Sequence, residues 1–143
     1  KVDFSVEQWE INGKEVLEVI VPKDKKQKHR APDNQGKYKV FVRVKDENLL
    51  ADSVLLKVWK YSRNIRPAKI SFTEPEMQLL HYLAEHSEIT LQEYQELAHI
   101  NRHRAEAILV DFILIGTIEI VLASQKTYFK LSNPEDQTKN GNI

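Results

Sequence analysis

The sequence predicts an α+β chain in two modules: a β-hairpin, strand and helix first, then three helices and a second hairpin. Three observations predict this. Asn12-Gly13 stands between two runs of strand-forming residues, three helix-start patterns fall at Thr73, Thr90 and Asn101, and Gly116 separates the third helix from two short β-rich runs. Charge is divided in the same way. Residues 1–66 hold 15 Lys and Arg against 10 Asp and Glu, whereas residues 67–143 hold 6 against 11. The predicted modules are therefore 1–66 and 67–135, with a disordered polar tail at 136–143.

Taken in order, FSVEQWEI (4–11) alternates apolar and polar residues, and KEVLEVI (14–20) with Val21 is rich in β-branched residues. Asn-Gly between such runs is the strongest short hairpin signal, because both turn residues need positive φ. Pro22 ends the second strand. KDKKQKHRAPDNQGK (23–37) is polar, basic and turn-rich, and reads as an exposed loop. KVFVRV (39–44) predicts a third strand, with Val40, Val42 and Val44 on one face and Phe41 and Arg43 on the other. From Leu49 to Arg63, apolar residues recur at three- and four-residue spacing and predict a helix. Residues 63–71 lack periodicity, contain Pro67 and form the expected boundary.

Thr73-Glu74-Pro75-Glu76 has the spacing of a capping box, in which a Thr hydroxyl accepts from a first-turn amide and the Glu reaches back. The helix it starts is expected to bury Met77, Leu80 and Ala84, with Leu79 and Leu83 beside them. Thr90-Leu91-Gln92-Glu93 is a second capping box, opening a short helix. His99-Ile100 is a tight turn, and Asn101 caps a helix over 101–115. Gly116 ends that helix in the left-handed conformation. Residues 117–123 and 127–132 then make a hairpin around Ser124-Gln125-Lys126.

Composition excludes several classes. With 41% hydrophobic and 29% charged residues, the 143-residue chain has enough apolar content for a core and predicts solubility. No apolar run approaches the roughly 20 residues that span a bilayer, so no membrane is expected. Cysteine is absent. Disulfides and thiolate chemistry are therefore excluded, and the cytoplasm is the expected compartment. The first twenty residues carry charges throughout and do not read as a leader. The chain opens on Lys1 rather than Met, which fits either a fragment or a processed chain. No G-x-S-x-G motif or phosphate-binding glycine loop is present, so no catalytic residue and no cofactor is assigned. His99 and His103 are four apart, but His99 lies in the turn and no carboxylate completes a zinc motif, so no metal is expected.

The order helix, short helix, tight turn, helix, Gly116 and hairpin resembles that of winged-helix domains over about residues 70–132. That resemblance makes helix 101–115 the recognition helix. Arg102 and Arg104 would then contact guanine or phosphate, His103 or Asn101 either group, and Lys126 at the wing tip a neighbouring phosphate. The residues themselves set a second reading beside this one. With Ala105, Leu109 and Phe112 inward, Ile108 falls beside them, and the opposite face carries His103, Ala107, Val110 and Leu114. Three of those four are apolar, and Glu106 on the flank would repel phosphate. A helix apolar on both sides is normally buried on both sides. Ala107, Val110 and Leu114 are therefore expected to form an interaction face, packing on the first module, a second copy or a partner.

The first module carries Gly13-Lys14, Val16-Leu17, Val21-Pro22, Lys28-His29, Tyr38 and Phe41-Val42-Arg43-Val44 in that order. The pattern resembles the C-terminal part of the Schlafen/AlbA-like DNA-binding domain of bacterial regulators, over about residues 3–62. The sequence departs from that family after Val44, where Lys45-Asp46-Glu47-Asn48 replaces Gly-Ser. The resemblance implies nucleic-acid binding by a transcriptional regulator, with a winged helix following. Independently of it, residues 23–39 hold seven Lys and Arg against Asp24 and Asp33. Lys25, Lys26, Lys28, His29 and Arg30 suit backbone phosphates, which require charge more than geometry. An ordinary solvated loop is the other reading. Arg43 is either a phosphate ligand or an ion-pair member. Three functions stay open: a regulator holding DNA mainly through phosphates, an interaction or homodimerisation module whose winged helix packs, and a non-catalytic fragment of a Schlafen-like nuclease.

Overall fold

The computed structural model describes residues 3–22, 29–62, 71–123 and 126–133. Lys25, Lys26 and Lys28, most of the expected boundary and the tail at 136–143 lie outside the described residues. The fold is α+β, with four helices and small sheets among the described residues. It divides into two compact units, residues 1–41 and 42–143.

In the first unit, β1 (Ser5–Ile11) and β2 (Lys14–Ile20) form an antiparallel pair in full register from Ser5↔Ile20 to Ile11↔Lys14. Asn12 and Gly13 take φ of 52° and 72°. Positive φ at both positions matches the twist of the strands they join. The described part of the expected open loop, from residue 29, contains a short strand pair. β3 (Ala31–Pro32) pairs with β4 (Tyr38–Lys39) around a turn organised by Asp33. The Asp33 carboxylate accepts from the Gln35 and Lys37 amides, both at 2.9 Å, and lies 2.8 Å from Lys39 Nζ. These contacts, led by Lys39, hold its pKa below the ordinary carboxylate range.

The strand expected at 39–44 continues as β5 (Phe41–Val44), paired with β6 (Glu47–Leu50) through a turn with Lys45 at φ 52°. Arg43 stays on this hairpin. It donates to Asn48 Oδ1 at 3.3 Å and lies 3.8 Å from Asp46. The helix expected from Leu49 begins four residues later, as α1 (Ser53–Tyr61). The Asp52 carboxylate accepts from the Leu55 amide at 2.8 Å, fixing the start of the helix and leaving Leu49 and Leu50 in the strand.

α2 (Glu74–Glu85) is rotated relative to the expected stripe. Leu79 and Leu83 are buried with Glu76, whereas Met77 is 54% exposed and Ala84 is also exposed. The expected capping box is not formed at Thr73, because its hydroxyl donates to the Glu76 carboxylate instead of accepting an amide. The box at Thr90 is complete. Its hydroxyl accepts from the Glu93 amide at 3.3 Å, and its own amide donates to Glu93 Oε2 at 2.8 Å.

β7 (Ile89–Thr90) leads directly into α3 (Leu91–Ala98), which ends at His99 with φ 51°. After α4 (Arg102–Leu114), Gly116 takes φ 77° and the chain enters β8 (Ile118–Leu122) and β9 (Thr127–Leu131). The sheet order is β7-β9-β8, so the final hairpin is tied to the start of α3. One core joins these elements, including Leu79, Leu83, Ile89, Tyr94, Leu109, Phe112, Ile118 and Phe129. The buried Tyr94 hydroxyl donates to the Pro75 carbonyl at 3.1 Å. Burial raises its pKa well above the ordinary phenol range. Thr90→Ala removes the cap and is expected to lower stability by about 1 kcal/mol in urea titration, with the fold retained.

Candidate nucleic-acid interface

The first turn of α4 holds the residues with the chemistry to contact DNA. Asn101 caps it by accepting from the Arg104 amide at 2.9 Å. Arg102 is turned back along its own helix. Its Nε donates to Glu106 Oε1 at 2.8 Å, and its Nη2 donates to Ser53 Oγ at 3.1 Å. Ser53 Oγ also donates to Glu106 Oε1 at 2.5 Å, and Lys57 Nζ lies 2.7 Å from Glu106 Oε2. Ser53 and Lys57 are one turn apart on α1, so a single carboxylate of α4 takes donors from both helices.

Glu106 is only 6% exposed. Burial alone would raise the pKa of its carboxyl. The hydrogen bonds from Lys57, Ser53 and Arg102 outweigh that and hold it at about 2. One turn on, Val110 is 1% exposed and belongs to the same buried cluster as Val54 of α1, with Val58, Tyr61, Ile113 and Leu114 packed against it. The face of α4 through Glu106 and Val110 is thus covered by α1, while Arg102 lies at its exposed edge and reaches Glu106 and Ser53 from there. Val110 is therefore packed within the chain and is not open to a partner. The cover comes from α1, which the sequence groups with the first module. Ala107 and Leu114 are half-buried.

Arg104 points the other way. Its Nη2 donates to Thr73 Oγ1 at 3.3 Å. Burial raises the pKa of Glu76, but hydrogen bonds from Thr73 and Ser71, with help from the Arg104 charge, bring it below the ordinary range. Arg104 and Ala107 line a cleft of about 200 Å³ with Ser71, Glu76 and Asp111. His103 remains exposed, as do His29 and Arg30 in the first unit. Lys126 is exposed between β8 and β9 and shares with Arg102 a groove of about 630 Å³, walled by Leu49, Leu91 and Phe129. The structure therefore brings Arg102 and Lys126 to one groove and keeps Arg104 apart from it.

No family model, curated protein or solved structure matches the chain. Among the described residues, no group of three His, Cys, Asp or Glu is placed to hold a metal ion, and no helix is long and apolar enough to cross a membrane.

Sequence reasoning makes Glu106 a repulsive neighbour of DNA and passes over Ser53 and Lys57. The i,i+4 spacing of Arg102 and Glu106 is the readable hint of an internal pair. Ser53 and Lys57 give no comparable signal, since both lie about fifty residues from Glu106.

Two outcomes are expected of this packing. Val110→Lys places a charge inside the core and is expected to cost more than about 3 kcal/mol in urea titration, without changing the oligomeric state. Glu106→Gln is expected to cost about 3 kcal/mol near neutral pH. Because the folded carboxyl titrates at about 2 against an ordinary 4.5, its contribution is full above pH 4.5 and disappears as pH falls toward 2. The difference between wild type and Glu106→Gln should shrink across that interval; a constant difference would refute the ionised clamp.

Proposed function

We propose that the chain is a nucleic-acid-binding regulatory module that holds DNA through backbone phosphates and does not read bases with α4. The observation behind this reading is the density of cations in residues 23–39, seven Lys and Arg against two Asp, set beside an α4 whose Glu106–Val110 face lies under α1 and whose Arg102 is paired with Glu106. Phosphate attraction requires positive charge without fixed donor geometry, and it supplies most sequence-independent affinity. Arg30 and Lys37 are exposed on this stretch, whereas Lys39 is drawn to Asp33. Lys126 adds a cation at the connection between β8 and β9. The order of elements from α2 to β9 supports a winged-helix reading, and the residues quoted from the first unit support an AlbA-like one. A cytoplasmic bacterial regulator is the setting these resemblances imply.

A second reading, an interaction or homodimerisation module, is favoured by the apolar side chains of β1 and β2. Trp9, Val6, Leu17 and Val19 are among those exposed there.

Titration of duplex DNA at several salt concentrations tests the first reading. Affinity should fall steeply with salt and depend little on sequence. Replacing Lys25, Lys26 and Lys28 together by Ala should reduce the log–log salt slope by about 0.9 for each phosphate that is no longer neutralised. Absence of salt-dependent binding, or a sequence preference abolished by His103→Ala, would overturn it.

A further inference from the structure

The β1–β2 hairpin has two unusual properties. Among the described residues its strands pair only with each other, and both of its faces carry exposed apolar side chains. Trp9, Val16 and Ile20 lie on one face, and Val6, Leu17 and Val19 on the other, as alternation along paired strands requires. A two-stranded hairpin is marginal in water, and three or more strands are needed for independent stability. An unpaired strand edge is also a template for a further strand.

We infer that β2 is a homodimerisation edge, pairing antiparallel with β2 of a second copy about a two-fold axis through Leu17. The inference rests on the second functional reading and is independent of DNA binding.

Backbone geometry selects the residues at this edge. The two-residue turn makes Ile11 and Lys14 a hydrogen-bonded pair, so pairs alternate from there along the hairpin. Lys14, Val16, Glu18 and Ile20 therefore direct their amides and carbonyls to β1. Glu15, Leu17 and Val19 direct theirs to the open edge. A two-fold axis at Leu17 sets Leu17 against its copy and Glu15 against the copy's Val19, all through outward-pointing groups. This register overlaps all seven residues of β2.

Charge selects β2 over β1. In the two-fold register Lys14 lies opposite the copy's Ile20 and diagonal to the copy's Glu18, within reach of a long side chain. The symmetry makes two such ion pairs. No two glutamates of β2 are directly opposed. Pairing of β1 about Gln8 sets Glu7 diagonal to its own copy, as pairing of β2 sets Glu18 diagonal to its own copy, but β1 has no cation to offset the repulsion, whereas β2 brings Lys14 to the same Glu18. Within each hairpin Glu7 faces Glu18, whose carboxylate also accepts from Trp9 Nε1 at 2.9 Å, and Glu10 faces Glu15; Lys14 is the one cation on these strands.

Sedimentation velocity of the full chain over a range of concentration tests the proposal. Wild type should show a reversible monomer–dimer equilibrium. Leu17→Lys, at a position 66% exposed in the single chain, should give a folded monomer by circular dichroism. Lys14→Glu or Glu18→Lys alone should weaken the dimer about tenfold, and the double swap Lys14→Glu/Glu18→Lys should restore it, which equals about 1.4 kcal/mol recovered. The swap remains decisive if Leu17→Lys disturbs the hairpin. A monomeric wild type at every concentration would overturn the proposal, as would a dimer indifferent to both single charge changes. A DNA titration of the Leu17→Lys monomer separates this result from the first functional reading.

Discussion

Glu106 is a carboxylate withdrawn from water between two helices, and the arrangement of the second unit depends on how its charge is met. Leaving such a group unpaired costs several kcal/mol. Here Ser53 and Lys57 reach it from α1, and Arg102 reaches it along α4. Because Ser53 and Lys57 are one turn apart and both converge on one carboxylate, α1 cannot slide along α4 without giving up a donor. Apolar contacts alone tolerate such sliding. The clamp therefore fixes the register in which Val54 and Val110 share one buried cluster, and that cluster gives the apolar second face of α4 its cover.

A second buried carboxylate, Glu76, does comparable work on the other side. It gathers Ser71 and Thr73 at the start of α2, and Thr73 in turn accepts from Arg104. Each arginine in the first turn of α4 is thus drawn into a network around an internal acid, in opposite directions. Lys130 is likewise held by Glu119 at 2.7 Å. A helix that reads bases needs side chains free to meet groove edges with defined geometry. The two arginines expected to do so here instead help to position helices. Interactions that require only charge are less affected, and the cations suited to them are concentrated in residues 23–39 rather than on α4.

The parts of this structure legible in the sequence are those encoded within a few consecutive residues. Asn12-Gly13, the Thr90–Glu93 box, the Asn101 cap and Gly116 each satisfy backbone groups within their own turn, so neighbours suffice to predict them. The stripe of α2 is not legible in this way. Hydropathy ranks Met77 above Glu76 for burial, and the order reverses because Ser71, Thr73 and Arg104 supply partners to the carboxylate. The start of α1 is misplaced for a related reason. Leu49 and Leu50 fit a helical period, yet Asp52 provides the cap and the preceding residues pair with β5. The second apolar face of α4 is visible in Ala107, Val110 and Leu114, but its cover depends on α1, roughly fifty residues earlier. Only the register of a tertiary contact could supply that.

The two units leave their unmet interactions in different places. In the second, acids and cations largely answer one another around a shared core. In the first, the hairpin carries glutamates in opposed pairs and apolar groups on both faces, followed at once by the densest run of cations in the chain. These two surfaces respond to different physics. Attraction of residues 23–39 to phosphate, as proposed, would release counterions and weaken as salt rises. Edge pairing of β2 rests on backbone hydrogen bonds and apolar contact, with charge selecting the register, and should be much less sensitive to salt. Association that weakens with salt in proportion to DNA affinity would place both on the basic stretch. Association that persists after DNA is released would place it on the hairpin, with the two surfaces acting separately.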